Sequence, residues 1–476
     1  MNRQIKVLLI VFTACFVAVA LNLTWIQIFG SERIQDNAFN KRRLVEDYAI
    51  KRGDIISSDG PVVAKSVDTG TEYRYQREYP LGGLFADVTG YDSWRYGRSG
   101  LEKTYNRELL GEGSRQTFRS LANKLLEANK RGNSLVLTVD SRLQGAATEA
   151  LGGRKGAVVA LDPKTGAVLS MVTSPTYDPN VTIPAKGRDT EKAWAELNAD
   201  PAKPLIDRCT SGLYPPGSSF KVVTASAALD LGVVNPDSPF DCGGKLPVQG
   251  YSIYDFGRKD HGRLTFEKAL VVSCNITFAQ VGLRLGASEL VRYAELYGFN
   301  RLIPFDVPMA KSKIQDAKSM DLVALASSAF GQGEDLATPL QMALVAAGVA
   351  NGGTVMRPRL VNNIQDYNGR VIDQFSPVPY EDVIDRETAR TLTRMMVKVV
   401  EDGTGTAAQI DGVEVAGKTG TAEVEGQEPQ AWFICFAPAY DPRVAVAVLV
   451  ENGGEGGRTA APIAREVLEK ALSLTE

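Results

Sequence analysis

One serine in this chain is placed where nucleophilic chemistry could be built around it. In Tyr214-Pro215-Pro216-Gly217-Ser218-Ser219-Phe220-Lys221 a Pro-Pro-Gly turn ends where a helix can begin. Ser218 then falls at a helix N-terminus, with Lys221 one turn later on the same face. A serine hydroxyl is a weak nucleophile until a neighbouring base takes its proton. A lysine withdrawn from water and set near a second cation can lose its own proton near neutral pH and act as that base. The backbone N–H groups and the positive end of the helix dipole favour an oxyanion at the same point. Taken alone, S-x-x-K is a weak signal, equally the mark of a capping serine followed by a surface lysine. Here it occurs once.

Two further clusters could complete such a site. Ser273-Cys274-Asn275, the one S-x-N of the chain, lies in an apolar stretch that reads as part of a single helical segment over 265–285. A buried Ser and Asn there need partners, so they are either a structural polar pair or groups facing a substrate. Ser273 is suited to relay a proton to a leaving amine, and Asn275 to hydrogen-bond a peptide. Lys-Thr-Gly occurs twice. Lys164-Thr165-Gly166 sits in an Asp-Pro turn between two strand-like runs and reads as a hairpin turn. Lys418-Thr419-Gly420-Thr421 follows the strand-like run 413–417. There Gly420 permits close backbone approach, while Lys418, Thr419 and Thr421 offer cationic and hydroxyl contacts to a terminal carboxylate.

Composition excludes much else. The single histidine, His261, leaves no pair for a zinc-protease helix, and no C-x2-C spacing suggests a structural zinc site. A Ser-His-Asp triad would have to recruit His261 from the polar, turn-like Gly257-Arg258-Lys259-Asp260-His261-Gly262-Arg263, where it reads as a surface residue. The five cysteines are scattered. They read as mostly free and buried, with a Cys209–Cys242 bridge left open. A net charge of −3, from 53 basic and 56 acidic residues, gives no footprint for nucleic acid.

The run 7–28 is apolar and uncharged, the length of a bilayer span, with Arg3 and Lys6 before it and Trp25 near its far end. This predicts an N-terminus inside and the rest of the chain outside the membrane. The alternative, a signal peptide cleaved after Ala18-Val19-Ala20, would cut within the apolar run. Residues 31 to about 140 read as an irregular lead-in, 157–172 as a hairpin, 218 to about 350 as mainly helical, and the end as strands closed by a helix from about 461. Thr338-Pro339 opens and Asn351-Gly352-Gly353 ends a helix. An α/β (α+β) core follows.

S-x-x-K, S-x-N and K-T-G in that order resemble the signature of penicillin-binding proteins and serine β-lactamases. Further stretches are similar to class B penicillin-binding proteins, of the actinobacterial PbpA type. Arg52-Gly53-Asp54-Ile55 with Asp59-Gly60, and 97–109, resemble the N-terminal pedestal motifs. Leu161-Asp162-Pro163-Lys164-Thr165-Gly166, 214–221, Phe330-Gly331-Gln332-Gly333-Glu334 and 417–423 resemble the transpeptidase domain. The resemblance implies a transpeptidase/serine β-lactamase-like fold on a β-rich pedestal with one transmembrane helix, divided as 1–29, 30–150 and 151–476. It implies D,D-transpeptidation of peptidoglycan stem peptides ending in D-Ala-D-Ala, acylation by β-lactams, and no cofactor or metal. It assigns Ser218 as nucleophile, Lys221 as base and Ser273 as relay, with Asn275 and Lys418 catalytic. Thr419, Gly420 and Thr421 are assigned to substrate, and the Ser218 and Thr421 N–H groups to the oxyanion hole. It further implies a membrane glycosyltransferase partner in division or elongation. A D,D-carboxypeptidase or β-lactamase on the same scaffold is the alternative. Cys274, at the variable position of S-x-N, is compatible with catalysis and would add thiol sensitivity.

Overall fold

The computed structural model describes residues 3–25, 41–71, 73–112, 131–185 and 187–474. Its centre is a five-stranded antiparallel sheet in the order Ala416–Ala422, Gln430–Ala437, Val444–Val450, Gly156–Leu161, Val168–Ser174. The middle strands read as unbroken apolar runs because both faces are covered. Side chains alternate across the pleat. Val159, Leu161, Ile434, Phe436, Ala447 and Leu449 join the larger core, which includes the buried helix Pro339–Ala350. Val158, Ala160, Phe433, Cys435, Val446 and Val448 instead meet the helices Ser141–Leu151 and Gly456–Leu474. The result is a three-layer α/β/α sandwich whose open edge is the strand Ala416–Ala422.

The expected hairpin is present, and Lys164-Thr165-Gly166 forms its turn. Asp162 accepts from Lys164 N at 2.8 Å and from Thr165 Oγ1 at 2.6 Å, and Gly166 has φ 74°. Thr338 caps the helix Pro339–Ala350 by accepting from Gln341 N, as Thr-Pro predicts.

Three expectations need correction. The segment 265–285 is two helices, Phe266–Val272 and Asn275–Leu285, because Ser273 turns into the left-handed region at φ 64°. The strand at Lys418 begins later than the run 413–417 and contains Lys-Thr-Gly itself, since the β-ladder to Gln430–Ala437 runs from Ala416 to Ala422. Finally, Cys242 and Cys274 form a disulfide, while Cys209 and Cys435 are buried and free and Cys15 is exposed. Neither the Cys209–Cys242 bridge nor a free Cys274 thiol is present, because antiparallel pairing of Pro239–Cys242 with Gly262–Thr265 carries Cys242 to the Ser273–Asn275 turn.

A second sheet of six strands, ordered 371–374, 361–365, 134–137, 55–56, 62–68, 75–78, draws strands from both sides of residue 150. Beside it the two pedestal-like motifs meet in one buried ionic cluster. Glu102, fully buried, is held by Arg52 Nη2 at 2.8 Å and by Arg77 Nε at 2.6 Å. Arg98 pairs with the buried Asp92 at 2.6 Å.

The helix Arg3–Trp25 is long and apolar enough to cross a membrane, and none of it is buried. The end of the predicted apolar run, 26–28, and the expected boundary at residue 29 lie outside the described residues.

Removing one member of a buried ion cluster leaves its partners charged and unpaired, which costs about 3–5 kcal/mol. Glu102→Ala is therefore expected to lower the first urea-unfolding transition of the chain by about that amount, whereas Glu102→Gln, which keeps hydrogen-bond acceptors, loses less.

Candidate active site

The Pro-Pro-Gly turn is pinned on three sides. Tyr214 exchanges backbone hydrogen bonds with Ala337, the buried Trp432 donates from Nε1 to Pro215 O at 2.9 Å, and Gly217 N donates to Gly331 O at 2.9 Å. The stretch Phe330–Glu334 thus supports the serine turn through its backbone. Gly217 to Phe220 forms one 3₁₀ turn, continued by the helix Lys221–Asp230. Ser218 lies in that turn and is half-buried, while Lys221 is fully buried.

The edge strand comes up against the same turn. A Cβ on Gly420 would stand 2.7 Å from Trp432 Cβ, 3.0 Å from Pro216 O and 3.2 Å from Ser219 N, so only glycine lets the backbones approach this closely. A Cβ on Gly217, at φ 53°, would stand 2.8 Å from Thr421 O.

The three motifs converge through their polar atoms. Lys221 Nζ donates to Ser273 O at 2.6 Å, to Asn275 Oδ1 at 2.8 Å and to Ser273 Oγ at 3.2 Å. Lys418 Nζ, fully buried, reaches the same Ser273 Oγ at 2.8 Å and Thr419 O at 2.9 Å. Burial lowers the Lys221 pKa to about 7, against the opposing pull of the Asp255 carboxylate. Lys418 is held well below its ordinary value by burial and by the charge of Lys221. Two ammonium groups reaching one hydroxyl oxygen resist double protonation, so the pair carries a neutral amine near neutral pH. That is the basic group a serine nucleophile needs.

Thr419 is nearly buried, and its Oγ1 lies 2.6 Å from Thr404 Oγ1. Thr421 is half-buried, and its Oγ1 accepts from Gly456 N at 3.4 Å. The structure thus brings Lys221, Ser273, Asn275 and Lys418 into one hydrogen-bonded cluster and lays Gly420 and Thr421 against the turn that carries Ser218.

Sequence reading missed two contributors. Thr404 has only its place in Gly403-Thr404-Gly405 to mark it. Asp255 accepts from Asn275 N at 3.0 Å, and its local pattern is no more than an aspartate after a strand. His261 is also misplaced by that reading. It is half-buried, with Nε2 3.2 Å from Asp255 Oδ2, because the 262–265 strand pairing folds it inward.

A mixed α/β sandwich with a Ser–Lys pair at a helix start and a Lys-Thr-Gly strand along its edge defines an acyl-serine transferase. The sequence model described as "penicillin binding protein transpeptidase domain" matches residues 156–469, and that described as "penicillin binding protein A dimerisation domain" matches 52–135. The chain belongs to the penicillin-binding protein transpeptidase family. It is 36% identical over 491 residues to the peptidoglycan D,D-transpeptidase PbpA of Mycolicibacterium smegmatis, covering 99% of each chain. The ceftriaxone acyl-enzyme of penicillin-binding protein A from Mycobacterium tuberculosis superposes with a TM-score of 0.85 at 36% identity, over 90% of this chain and 100% of that one. A D,D-transpeptidase domain from Eggerthella lenta superposes at 0.81 with 37% identity, over 90% and 99%.

Gly420→Ala forces the strand away from the serine turn. Overpacking of this kind is expected to cost about 1–3 kcal/mol, read as a fall in the thermal midpoint, whereas Gly145→Ala in the helix Ser141–Leu151, where a new Cβ meets no neighbouring atom, does not lower it.

Proposed function

We propose that the chain is a peptidoglycan D,D-transpeptidase acting through a Ser218 acyl-enzyme. The observation that carries this reading is the meeting of Lys221 and Lys418 on Ser273 Oγ, with Lys221 one turn along the chain from Ser218. Ser218 Oγ attacks the carbonyl of the penultimate D-Ala of a donor stem peptide, and its proton passes to Lys221. The tetrahedral oxyanion is held by the N–H groups of Ser218 and Thr421. As the intermediate collapses, Ser273 relays the proton from Lys221 to the departing D-Ala amine. An amine of a second stem then attacks the ester, forms the cross-linking peptide bond and returns Ser218. Asn275 orients the stem's peptide groups, Lys418 holds the Ser273 hydroxyl for the relay, and Thr419, Gly420 and Thr421 receive the donor, with the threonine hydroxyls facing its terminal carboxylate. β-Lactams enter by the same attack and leave a stable ester, as the acyl-enzyme of the mycobacterial relative does.

Residues 1–29 anchor the enzyme, 30–150 form the pedestal and 151–476 the transpeptidase domain. The spans of the two family models, 52–135 and 156–469, support that division. The helix Arg3–Trp25 crosses the membrane with its N-terminus inside, favoured by Arg3 and Lys6. On this reading the partner is a membrane glycosyltransferase of the division or elongation machinery, which would supply the glycan whose stems the enzyme cross-links.

Fluorescent penicillin is expected to label the wild-type chain durably and to leave Ser218→Ala unlabelled. An unlabelled wild type would sink the acyl-enzyme reading, and release of label within seconds would point instead to a β-lactamase. Loss of a general base typically costs 10²–10⁴-fold, so Lys221→Met is expected to slow acylation by roughly that factor. Since the Lys221 ammonium must first lose its proton, the stopped-flow acylation rate of the wild type is expected to fall as pH drops below about 7. A rate flat from pH 5 to pH 9 would remove Lys221 from the base's role.

A further inference from the structure

The turn that holds Ser273 and Asn275 is a left-handed helix end, with Ser273 N donating to Leu270 O at 3.2 Å and Cys274 N to Ala269 O at 2.9 Å. Ser273 has a left-handed backbone at φ 64°, a conformation that residues other than glycine keep only where their surroundings impose it. The helices on either side stop at Val272 and start at Asn275, so beyond that C-cap no helical ladder carries the turn onward. What fixes its far side is a small lobe built from two antiparallel strand pairs, Pro239–Cys242 with Gly262–Thr265 and Lys245–Val248 with Tyr251–Tyr254.

The lobe grips the turn at three points. Asp255 Oδ1 accepts from Asn275 N at 3.0 Å and from Phe256 N at 2.9 Å. Asn275 Nδ2 donates to Tyr254 O at 3.4 Å, which turns Oδ1 of the same amide toward Lys221 Nζ. Cys242 is bonded to Cys274, between the two motif residues. Asp255 is the centre of this arrangement. It is 5% exposed, and its Oδ2 lies 3.2 Å from His261 Nε2 and 3.5 Å from Cys242 Sγ.

We infer that Asp255 is a positioning residue of the acyl transfer: its carboxylate fixes the Ser273–Asn275 turn, and through it the oxygens that cradle the Lys221 amine. The inference rests on the acyl-transfer reading of Ser218 and Lys221. Asp255 has two separable effects. As an acceptor it fixes the position of Asn275. As a charge it is the carboxylate that favours the protonated form of Lys221, against burial, which favours the neutral one. The other groups around Lys221 do not duplicate it. Lys418 on the edge strand, its own proton affinity held down by burial and by Lys221, opposes the protonated form; the ring of Phe278 on the next helix, centroid 5.4 Å from Lys221 Nζ, favours a cation only through its π face and carries no charge; and His261 lies beyond Asp255.

Two substitutions in the full-length chain in detergent separate the effects, with acylation by fluorescent penicillin followed by stopped flow across pH. Asp255→Ala removes acceptor and charge together. A small displacement of a catalytic group can cost 10²-fold, so its acylation rate constant is expected to fall by roughly 100-fold on the alkaline plateau, with the acid limb moved to lower pH as well. Asp255→Asn keeps an oxygen for Asn275 N but no charge. It is expected to retain most of the rate at alkaline pH and to move the acid limb of the profile to lower pH, because the protonated lysine has lost the neighbour that favoured it. His261→Gln, which keeps the Asp255 charge, leaves the limb in place.

A purely structural aspartate would lower the thermal midpoint of both Asp255 variants and leave the limb at its wild-type position. That result, or wild-type acylation by Asp255→Ala, overturns the inference. If Asp255→Ala does not fold, the limb of Asp255→Asn decides alone. Failure of the wild type to label would overturn the acyl-transfer reading itself, an outcome distinct from labelling that is indifferent to Asp255.

Discussion

The structure depends on placing two lysine amines in a water-free space against one serine hydroxyl. Burying a single ammonium is unfavourable and burying two side by side is worse, so the fold must surround them with acceptors and let one be neutral. Ser273 O, Ser273 Oγ and Asn275 Oδ1 face Lys221, while Ser273 Oγ and Thr419 O face Lys418. The lowered affinity of both lysines for protons follows from that burial, and a neutral amine so placed is what the proposed acyl-enzyme chemistry asks for.

Three separate pieces of backbone have to be held to a fraction of an ångström for this to work. The sheet provides the first, because Lys418 lies on an edge strand with one side bonded to its neighbour and the other open to an extended peptide. The serine turn is locked to that strand by Trp432 and by two glycines too close to carry side chains. The third piece, the turn at Ser273, is the one whose own conformation is unfavourable, and it is the one tied down by a disulfide and a buried carboxylate. The strongest clamp therefore falls where the local backbone resists most.

The pedestal follows the same logic at larger scale. Arg52 and Glu102 belong to motifs far apart in sequence, and the sense of each lies in the other: neither charge could be buried alone. The sheet above them takes strands from 361–374 as well as from the first 140 residues, so the two parts of the chain are hydrogen-bonded together rather than joined by a linker alone.

Much of this was legible in the sequence. The order of S-x-x-K, S-x-N and K-T-G, the uniqueness of the first two, the lack of a usable histidine pair and the apolar start determine the chemistry and the class of fold, because they depend on residue type and local spacing. The turn at Lys164-Thr165-Gly166 could be told from the motif at Lys418 for the same reason: Asp162-Pro163 just before it, closed by Gly166, specifies a tight hairpin turn, and no Asp-Pro precedes Lys418. Other features were decided only in three dimensions. The break at Ser273 contradicts a helical pattern that 265–285 carries locally, since the lobe outweighs its propensity. The pairing of Cys242 with Cys274 depends on strand register, and the joining of Asp255 to Asn275 and of Thr404 to Thr419 depends on chain crossings that no local pattern encodes. Above all, the basicity of Lys221 is a property of what excludes water from it, and only the packed tertiary structure supplies that exclusion.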